Sequence, residues 1–128
     1  MQMLGDFQTE NGVYRDAHLT LDFQKQVATL DAERLLLTRK EYELLAALVS
    51  YAGMIVPRAD LLMRVWGYGE GIRTRTLDVH IRHLRSKLGV YADTYIETIF
   101  GIGHRFQPYR EARRFEPVIV ATSAMAVA

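Results

Sequence analysis

Residues 73–88 carry the pattern that most constrains the fold of this 128-residue chain. At about 100° per residue, the turn of an α-helix, Leu77, Ile81, Leu84 and Leu88 fall on one stripe. Polar and cationic residues occupy the opposite side, and the segment holds five Arg or Lys against one acid. We therefore predict one amphipathic helix whose apolar stripe packs on a core and whose cationic side stays accessible.

Charge is distributed unevenly along the chain. Residues 1–70 carry ten acids and seven Arg or Lys, a net of −3, whereas residues 71–128 carry five acids and nine Arg or Lys, a net of +4. Such asymmetry indicates contact with nucleic acid or an anionic membrane, and the major groove of DNA admits a helix. A solvated helix face in an ordinary domain is the alternative interpretation of the helix by itself.

Length and composition set further limits. A chain of this size forms one domain with a real core, and its 49% hydrophobic and 24% charged residues are typical of a globular protein. The absence of cysteine excludes disulfides and thiolate metal sites. No apolar run approaches the roughly 20 residues of a membrane span, and the N-terminus lacks the plan of a signal peptide. We expect a cytoplasmic protein without a membrane partner.

Alternating patterns predict strands before the first helix. Residues 18–23, 26–30 and 33–37 read as strands of an antiparallel meander, with polar connectors at 22–25 and 31–33.

Two helices are predicted between this meander and residues 73–88. Thr38 and Glu41 form a capping box ahead of an apolar stripe, and Gly53 supplies the left-handed stop. A second helix runs over about residues 57–66, with Pro57 in its first turn and Trp66 in the core. A glycine-rich loop follows at residues 67–71.

A hairpin is predicted after the basic helix. Residues 94–100 and 104–106 read as strands around Gly101 and Gly103, whose positive φ angles a tight turn demands. Strands, two helices, a loop, a cationic helix and a hairpin together describe an α+β winged helix-turn-helix. In that geometry the third helix enters the major groove and the hairpin, or wing, lies over the flanking backbone or minor groove.

Four segments resemble the DNA-binding output domain of OmpR/PhoB-type response regulators of two-component systems. The matching segments are LTRKEYELL at 37–45, RADLL at 58–62 with VWG at 65–67, RTLDVHIRHLR at 75–85 with KL at 87–88, and IET at 96–98 with GIGHRF at 101–106. The resemblance covers about residues 4–107. It implies an N-terminal four-stranded antiparallel sheet, three helices and a C-terminal hairpin wing. It also implies sequence-specific transcription regulation on direct DNA repeats as a tandem dimer. RNA polymerase would contact the loop between the second and third helices, which contains Tyr68, Gly69, Glu70, Gly71 and Ile72.

The sequence departs from the family pattern at several points. Family members commonly carry an Arg where this chain has Phe100; Phe100 would contact DNA sugars, meet a neighbouring subunit, or pack across the hairpin, and we favour hairpin packing. His83 replaces an Arg that often contacts bases and offers no bidentate fork. Pro57 replaces the usual Ser or Thr cap. No receiver domain fits before residue 4, so the chain is either an excised output domain or a receiver-less regulator.

Candidate DNA contacts lie on the third helix and the wing. Arg82 reads a base or clamps a phosphate, since Arg to guanine is the commonest specific major-groove contact. Val79 contacts a thymine methyl group or is an incidental exposed valine. Arg85 reaches a phosphate or bridges to an acid such as Glu97. Phosphate contacts are predicted for Arg73, Arg75 and Thr76 near the helix start and for Thr98 and Arg105 on the hairpin. The complete predicted set is Arg73, Arg75, Thr76, Val79, Arg82, His83, Arg85, Ser86, Thr98, Phe100 and Arg105.

Other function classes find little support in the residues. His80 and His83 lack a third ligand at useful spacing, so we predict neither a metal nor any other cofactor, and no nucleophile–base pair suggests an enzyme. The rival hypothesis is a winged-helix module that docks on polymerase or on another regulator without reading DNA. We place the DNA-binding domain at residues 1–108 and treat 109–128 as a flexible or partner-bound tail.

Overall fold

The computed structural model describes residues 8–67 and 74–110, and they form two antiparallel sheets around a helical core. The first sheet is a meander in chain order; its strands are β1 (Gln8–Glu10), β2 (Val13–Arg15), β3 (Leu19–Asp22), β4 (Val27–Leu30) and β5 (Glu33–Arg34). The fold class is the predicted one, but this sheet has five strands rather than four. The predicted strand at 33–37 is short because pairing with β4 ends at Arg34, beyond which Leu36 is 79% exposed.

Three helices cover the sheet, and each was predicted from its apolar pattern; they are α1 (Arg39–Ser50), α2 (Arg58–Trp66) and α3 (Thr76–Leu88). The capping box is present, since the Thr38 hydroxyl accepts from the Glu41 N–H while the Glu41 carboxylate accepts from the Thr38 N–H. Helix α1 ends at Ser50, before the predicted stop at Gly53. Gly53, at φ +86°, instead turns the chain toward the second sheet and donates its N–H to the Phe106 carbonyl.

The second sheet combines the wing with a strand that the sequence analysis did not predict. It has the order β6-β8-β7 and consists of β6 (Ile55–Pro57), β7 (Ile96–Ile99) and β8 (Gly103–Phe106), with a short helix α4 (Ala92–Tyr95) before β7. Pro57 therefore ends a strand and caps α2 with an extended backbone, rather than lying in the first turn of that helix.

The two hairpin glycines have different roles, contrary to the prediction that both supply positive φ. Gly101 has φ +79° with open space around it. Gly103 lies where β6 and β8 approach closely, and a Cβ there would sit 2.1 Å from the Val56 carbonyl oxygen. Only the first glycine meets the demand of the turn, and the second permits the third strand to pair.

One buried carboxylate ties distant parts of the fold together. Asp16 is 8% exposed and accepts five hydrogen bonds. The donors are the backbone N–H groups of His18, Leu19 and Tyr109 and the hydroxyl groups of Tyr14 and Tyr95. The described chain is thus held to the first sheet as far as Tyr109, whose ring also meets His18 at 4.6 Å. Residues 111–128, most of the predicted tail, lie outside the described residues.

The helices of the described segments are too short or too polar to cross a bilayer.

Candidate nucleic-acid interface

Helix α3 separates an apolar side from a cationic side, as its sequence pattern predicted. Leu77, Ile81, Leu84 and Leu88 are at most 5% exposed and belong to the core. The opposite face is accessible; it consists of exposed Arg75, Arg82, His83 and Ser86 and of half-buried Val79. The apolar anchor therefore fixes the helix while its other side remains available to a partner.

The N-terminal end of α3 differs from the prediction. The helix begins at Thr76 rather than at residue 73, and Arg75 is its N-cap. The Thr74 hydroxyl accepts from the Thr76 N–H at 3.0 Å and lies 2.8 Å from the Thr76 hydroxyl. Side-chain competition for the backbone N–H groups thus starts the helix later than the cationic pattern suggested. Arg73, a predicted phosphate contact, lies outside the described residues.

Two of the helix cations have no partner within the part of the chain that the structure describes. Arg75 and Arg82 are exposed, and neither side chain forms a hydrogen bond or ion pair with residues 8–67 or 74–110. An unengaged guanidinium keeps all five N–H donors open, and its planar fork suits a guanine edge or a phosphate. These two guanidinium groups are therefore accessible to a partner on the described part of α3.

Two other cations of α3 are engaged inside the domain. Arg85 donates to the Ile96 carbonyl at 2.6 Å and pairs with Asp93, which holds α4 and β7 to the helix. The predicted alternative in which Arg85 bridges to an acid is present, but the acid is Asp93 on the adjoining helix α4 rather than Glu97, which pairs with Arg105.

Lys87 joins α3 to α1. Its ammonium group lies 2.6 Å from the Glu41 carboxylate and 2.8 Å from the Leu36 carbonyl oxygen. Burial alone would raise the pKa of Glu41, but hydrogen bonds from Lys87 and the Thr38 backbone outweigh it and lower that pKa. His83 Nδ1 lies 3.7 Å from the second oxygen of Glu41, so this predicted base contact sits beside a buried negative charge.

The polar side chains of the wing form hydrogen bonds with one another. Arg105 donates to the Glu97 carboxylate from Nε at 2.9 Å and from a terminal guanidinium nitrogen at 2.6 Å. The Thr98 hydroxyl lies 2.9 Å from His104 Nδ1. Burial, with a smaller contribution from the nearby Arg58, lowers the pKa of His104 and favours its neutral form. Thr98 and Arg105 were predicted to contact phosphates, and each of them is hydrogen-bonded to another residue of the wing.

Phe100 does not pack across the hairpin, so the favoured interpretation of this residue is wrong. Its side chain is 97% exposed. The last pair of the hairpin joins Ile99 to Gly103, so Phe100 stands in the turn beyond the ladder and has no residue opposite it.

Arg58 connects the wing to α3, and the sequence analysis missed it. Its backbone N–H donates to the Ile102 carbonyl at 3.1 Å. Its guanidinium lies 2.6 Å from the Asp78 carboxylate and 3.5 Å from the Thr74 carbonyl. Asp78 is the one acid of the predicted helix, and an acid on a cationic helix suggests a cationic partner elsewhere in the sequence. That signal could have pointed to Arg58.

The remaining predictions concern the histidine side chains of α3 and the polymerase-contact loop. His80 points back to the Thr76 carbonyl, 2.9 Å away, and its ring meets half-buried Trp66 at 4.9 Å. The described segments hold no group of three side chains able to ligate a metal. The predicted polymerase-contact loop, residues 68–72, lies outside the described residues.

The sequence of this domain is similar to the sequences of known proteins. The sequence model described as "Transcriptional regulatory protein, C terminal" matches residues 32–106. The probable transcriptional regulator ycf27 of Guillardia theta is 40% identical over 103 residues, covering 77% of this chain and 41% of that protein. The chain thus spans less than half the length of the curated relatives it matches.

Solved structures show the same fold. The RstA DNA-binding domain of Klebsiella pneumoniae, crystallised in complex with RstA box, is 29% identical with a TM-score of 0.70, and the match covers 76% of this chain and 98% of that one. The response regulator DrrB of Thermotoga maritima, an OmpR/PhoB homolog, is 31% identical with a TM-score of 0.67, covering 75% of this chain and 44% of that one.

Proposed function

The chain belongs to the OmpR/PhoB-type family of C-terminal domains of transcriptional regulatory proteins, and from this premise we propose that it binds double-stranded DNA sequence-specifically and regulates transcription. Helix α3 lies in the major groove, and the wing lies over the flanking backbone. The observation that carries the proposal is the accessible face of α3, where Arg75 and Arg82 stand unengaged within the described residues. Family membership alone supports the fold and the class, whereas this face supports the reading of DNA.

Each residue of the face has a proposed role. Arg82 donates to a guanine edge, and half-buried Val79 contacts a thymine methyl group. Arg75, with Thr76 at the helix start and Ser86 farther along, binds phosphates, which the positive end of the helix dipole also favours. His83 contacts a base as a single donor or acceptor. Arg73 belongs to the same phosphate group.

Arg85, Arg105 and Thr98 hold a secondary place in the proposal. Each already has a hydrogen-bond partner in the domain, so binding a phosphate would require an exchange of partners. Such an exchange returns less affinity than the engagement of a free side chain.

The partners follow from the family. We propose binding to direct repeats as a dimer on DNA, with RNA polymerase contacted through residues 68–72. The RstA domain crystallised with its DNA box supports duplex DNA as the ligand of this fold. We propose a cytoplasmic protein without enzymatic activity. The DNA-binding unit, predicted at residues 1–108, is extended to residue 109 because Tyr109 contacts Asp16 and His18, and we propose a separate tail beyond it.

A protein-interaction module remains the second candidate, because one observation favours it. The wing presents exposed Phe100 while its arginine is paired with Glu97. A module of this kind would bind polymerase or another regulator and would leave DNA unread.

The test is selection of bound sequences from a random duplex pool, followed by fluorescence anisotropy across a salt series. Arg82→Ala should weaken binding to the selected site by about 1–3 kcal/mol and relax selectivity at one base position. Arg34→Ala is the matched control, since Arg34 is an exposed arginine on the first sheet. Absence of any selected sequence at low salt, with the chain folded, would refute DNA reading and favour the interaction module.

A further inference from the structure

We propose that the wing tip, Phe100 with Ile102, is an apolar probe that enters the minor groove beside the α3 site and favours deformable base steps there. This inference rests on the proposed function, because it requires α3 in the adjoining major groove. It adds a specificity-determining contact that is apolar, whereas the contacts proposed for α3 are mainly polar or ionic.

Exposure of the tip is the first observation. Phe100 is 97% exposed and Ile102 is 54% exposed, on either side of Gly101 at φ +79°. A phenylalanine this accessible contributes nothing to the packing of the described domain. An aromatic side chain kept in water at the end of a tight turn gains contact only when a partner covers it.

The chemistry of the wing is the second observation. Arg105 is held by Glu97 through two hydrogen bonds, and His104 is 4% exposed with its pKa lowered. Between Ile96 and Phe106 the described hairpin therefore presents no unpaired cation. A contact made by this tip is apolar, and it involves sugars and base edges rather than phosphate charges.

The position of the tip is the third observation. The backbone N–H of Arg58 donates to the Ile102 carbonyl of the wing, and its guanidinium group donates to the Asp78 carboxylate in the first turn of α3. The tip and the start of α3 are thus joined by one residue. Asp78 and Arg82 lie one turn apart on the same flank of α3, so the tip lies on the side of the helix from which Arg82 projects.

DNA suits this tip better than a protein does. Stable protein interfaces bury about 1,200–2,000 Å² in total, and two side chains on a narrow turn offer only a small part of that area. A minor groove about 6 Å wide accepts a single apolar wedge, and pyrimidine–purine steps unstack most readily around one. The tip is also linked through Arg58 to the start of α3, the helix that we propose to read DNA.

The salt dependence of binding tests the inference, with the selected duplex as probe. Phe100→Ala should weaken binding by about tenfold and leave the slope of log K against log salt unchanged, since no phosphate contact is lost. Phe100→Arg should steepen that slope by about 0.9, the value for one added phosphate contact. Val90→Ala is the control, because Val90 is an apolar residue 91% exposed outside the wing.

A second readout tests the base step. Duplexes that carry a TA step or an A-tract beside the selected site should be distinguished by the unaltered protein and not by Phe100→Ala. If Phe100→Ala binds both duplexes as the unaltered protein does, while Arg82→Ala weakens binding, the wing inference fails and the proposed function stands. If the unaltered protein selects no duplex at all, the proposed function itself fails.

Discussion

Replacing Asp16 with Asn should destabilise the domain far more than the loss of one charge at its surface would. Asp16 is the buried acceptor of five hydrogen bonds between 2.6 and 3.2 Å. One oxygen accepts from two backbone N–H groups and from the Tyr95 hydroxyl, and the other accepts from the Tyr14 hydroxyl and the Tyr109 N–H. An amide keeps the shape of the side chain but replaces one acceptor oxygen with a donor.

The magnitude follows from the fate of each donor. An amide that keeps its oxygen toward the first three donors turns its NH₂ group toward Tyr14 and Tyr109. The Tyr14 hydroxyl can rotate to accept, but the Tyr109 N–H cannot, and an unsatisfied donor costs about 1–3 kcal/mol. The other four bonds lose charge assistance, which adds a cost that easier desolvation of a neutral group partly offsets. We expect a total loss of about 3 kcal/mol in the free energy of unfolding, from the same balance of terms.

Urea and thermal unfolding, followed by circular dichroism, measure this loss. For a domain of this size about 3 kcal/mol lowers Tm by on the order of 15 °C, with an unchanged m-value. Asp22→Asn is the control, because within the described residues the Asp22 carboxylate accepts from two exposed turn N–H groups at 3.0 Å, and Asn suits such a turn equally well. A loss below about 1 kcal/mol for Asp16→Asn, close to that of the control, would show that the five bonds contribute little net stability.

Two further predictions concern the wing. Gly103→Ala should destabilise the domain by about 3 kcal/mol or more, because the added Cβ would lie 2.1 Å from the Val56 carbonyl oxygen. Gly101→Ala places its Cβ in open space and should cost only about 1–2 kcal/mol, the cost of a left-handed backbone for alanine. Equal losses of the two variants in urea unfolding would contradict this. Since the pKa of His104 is lowered in the folded state, the unfolded chain binds a proton that the folded chain does not as pH falls below about 6.5, and stability should fall by up to about 1.4 kcal/mol per pH unit. His104→Asn should flatten that part of the stability profile between pH 6.5 and 5, and a profile parallel to that of the unaltered protein would assign the effect to other groups.

Elements specified by local sequence were predictable. The capping box at Thr38 and Glu41 joins residues three apart, and both of its hydrogen bonds are present. The leucine stripe of α3 likewise depends only on helical periodicity, and all four of its members are buried. Short-range patterns of this kind determine where helices form and which side of each faces the core.

Features that join distant residues were not predictable from one sequence. Strand β6 forms because Ile55–Pro57 finds an open edge of β8, some fifty residues away, and nothing in three residues announces that pairing. The same holds for Asp16, whose partners include Tyr95 and Tyr109. Phe100 was misread for a related reason, since its exposure depends on a register that places it one residue beyond the last cross-strand pair.

The division of the cations on α3 shapes the site more than their number does. The sequence alone offers five Arg or Lys over residues 73–88, which suggests affinity through many phosphates. In the structure Arg85 is hydrogen-bonded to α4 and β7, Lys87 is hydrogen-bonded to α1, and Arg58 pairs with Asp78, the single acid of the helix. These inward contacts fix the axis and rotation of the helix, so Arg82, which we propose to read a base edge, projects from a fixed point on the domain surface. Since phosphate contacts position a protein while base contacts specify its site, a helix that gives up cationic affinity for rigid placement is suited to discriminate among sequences rather than to bind them all.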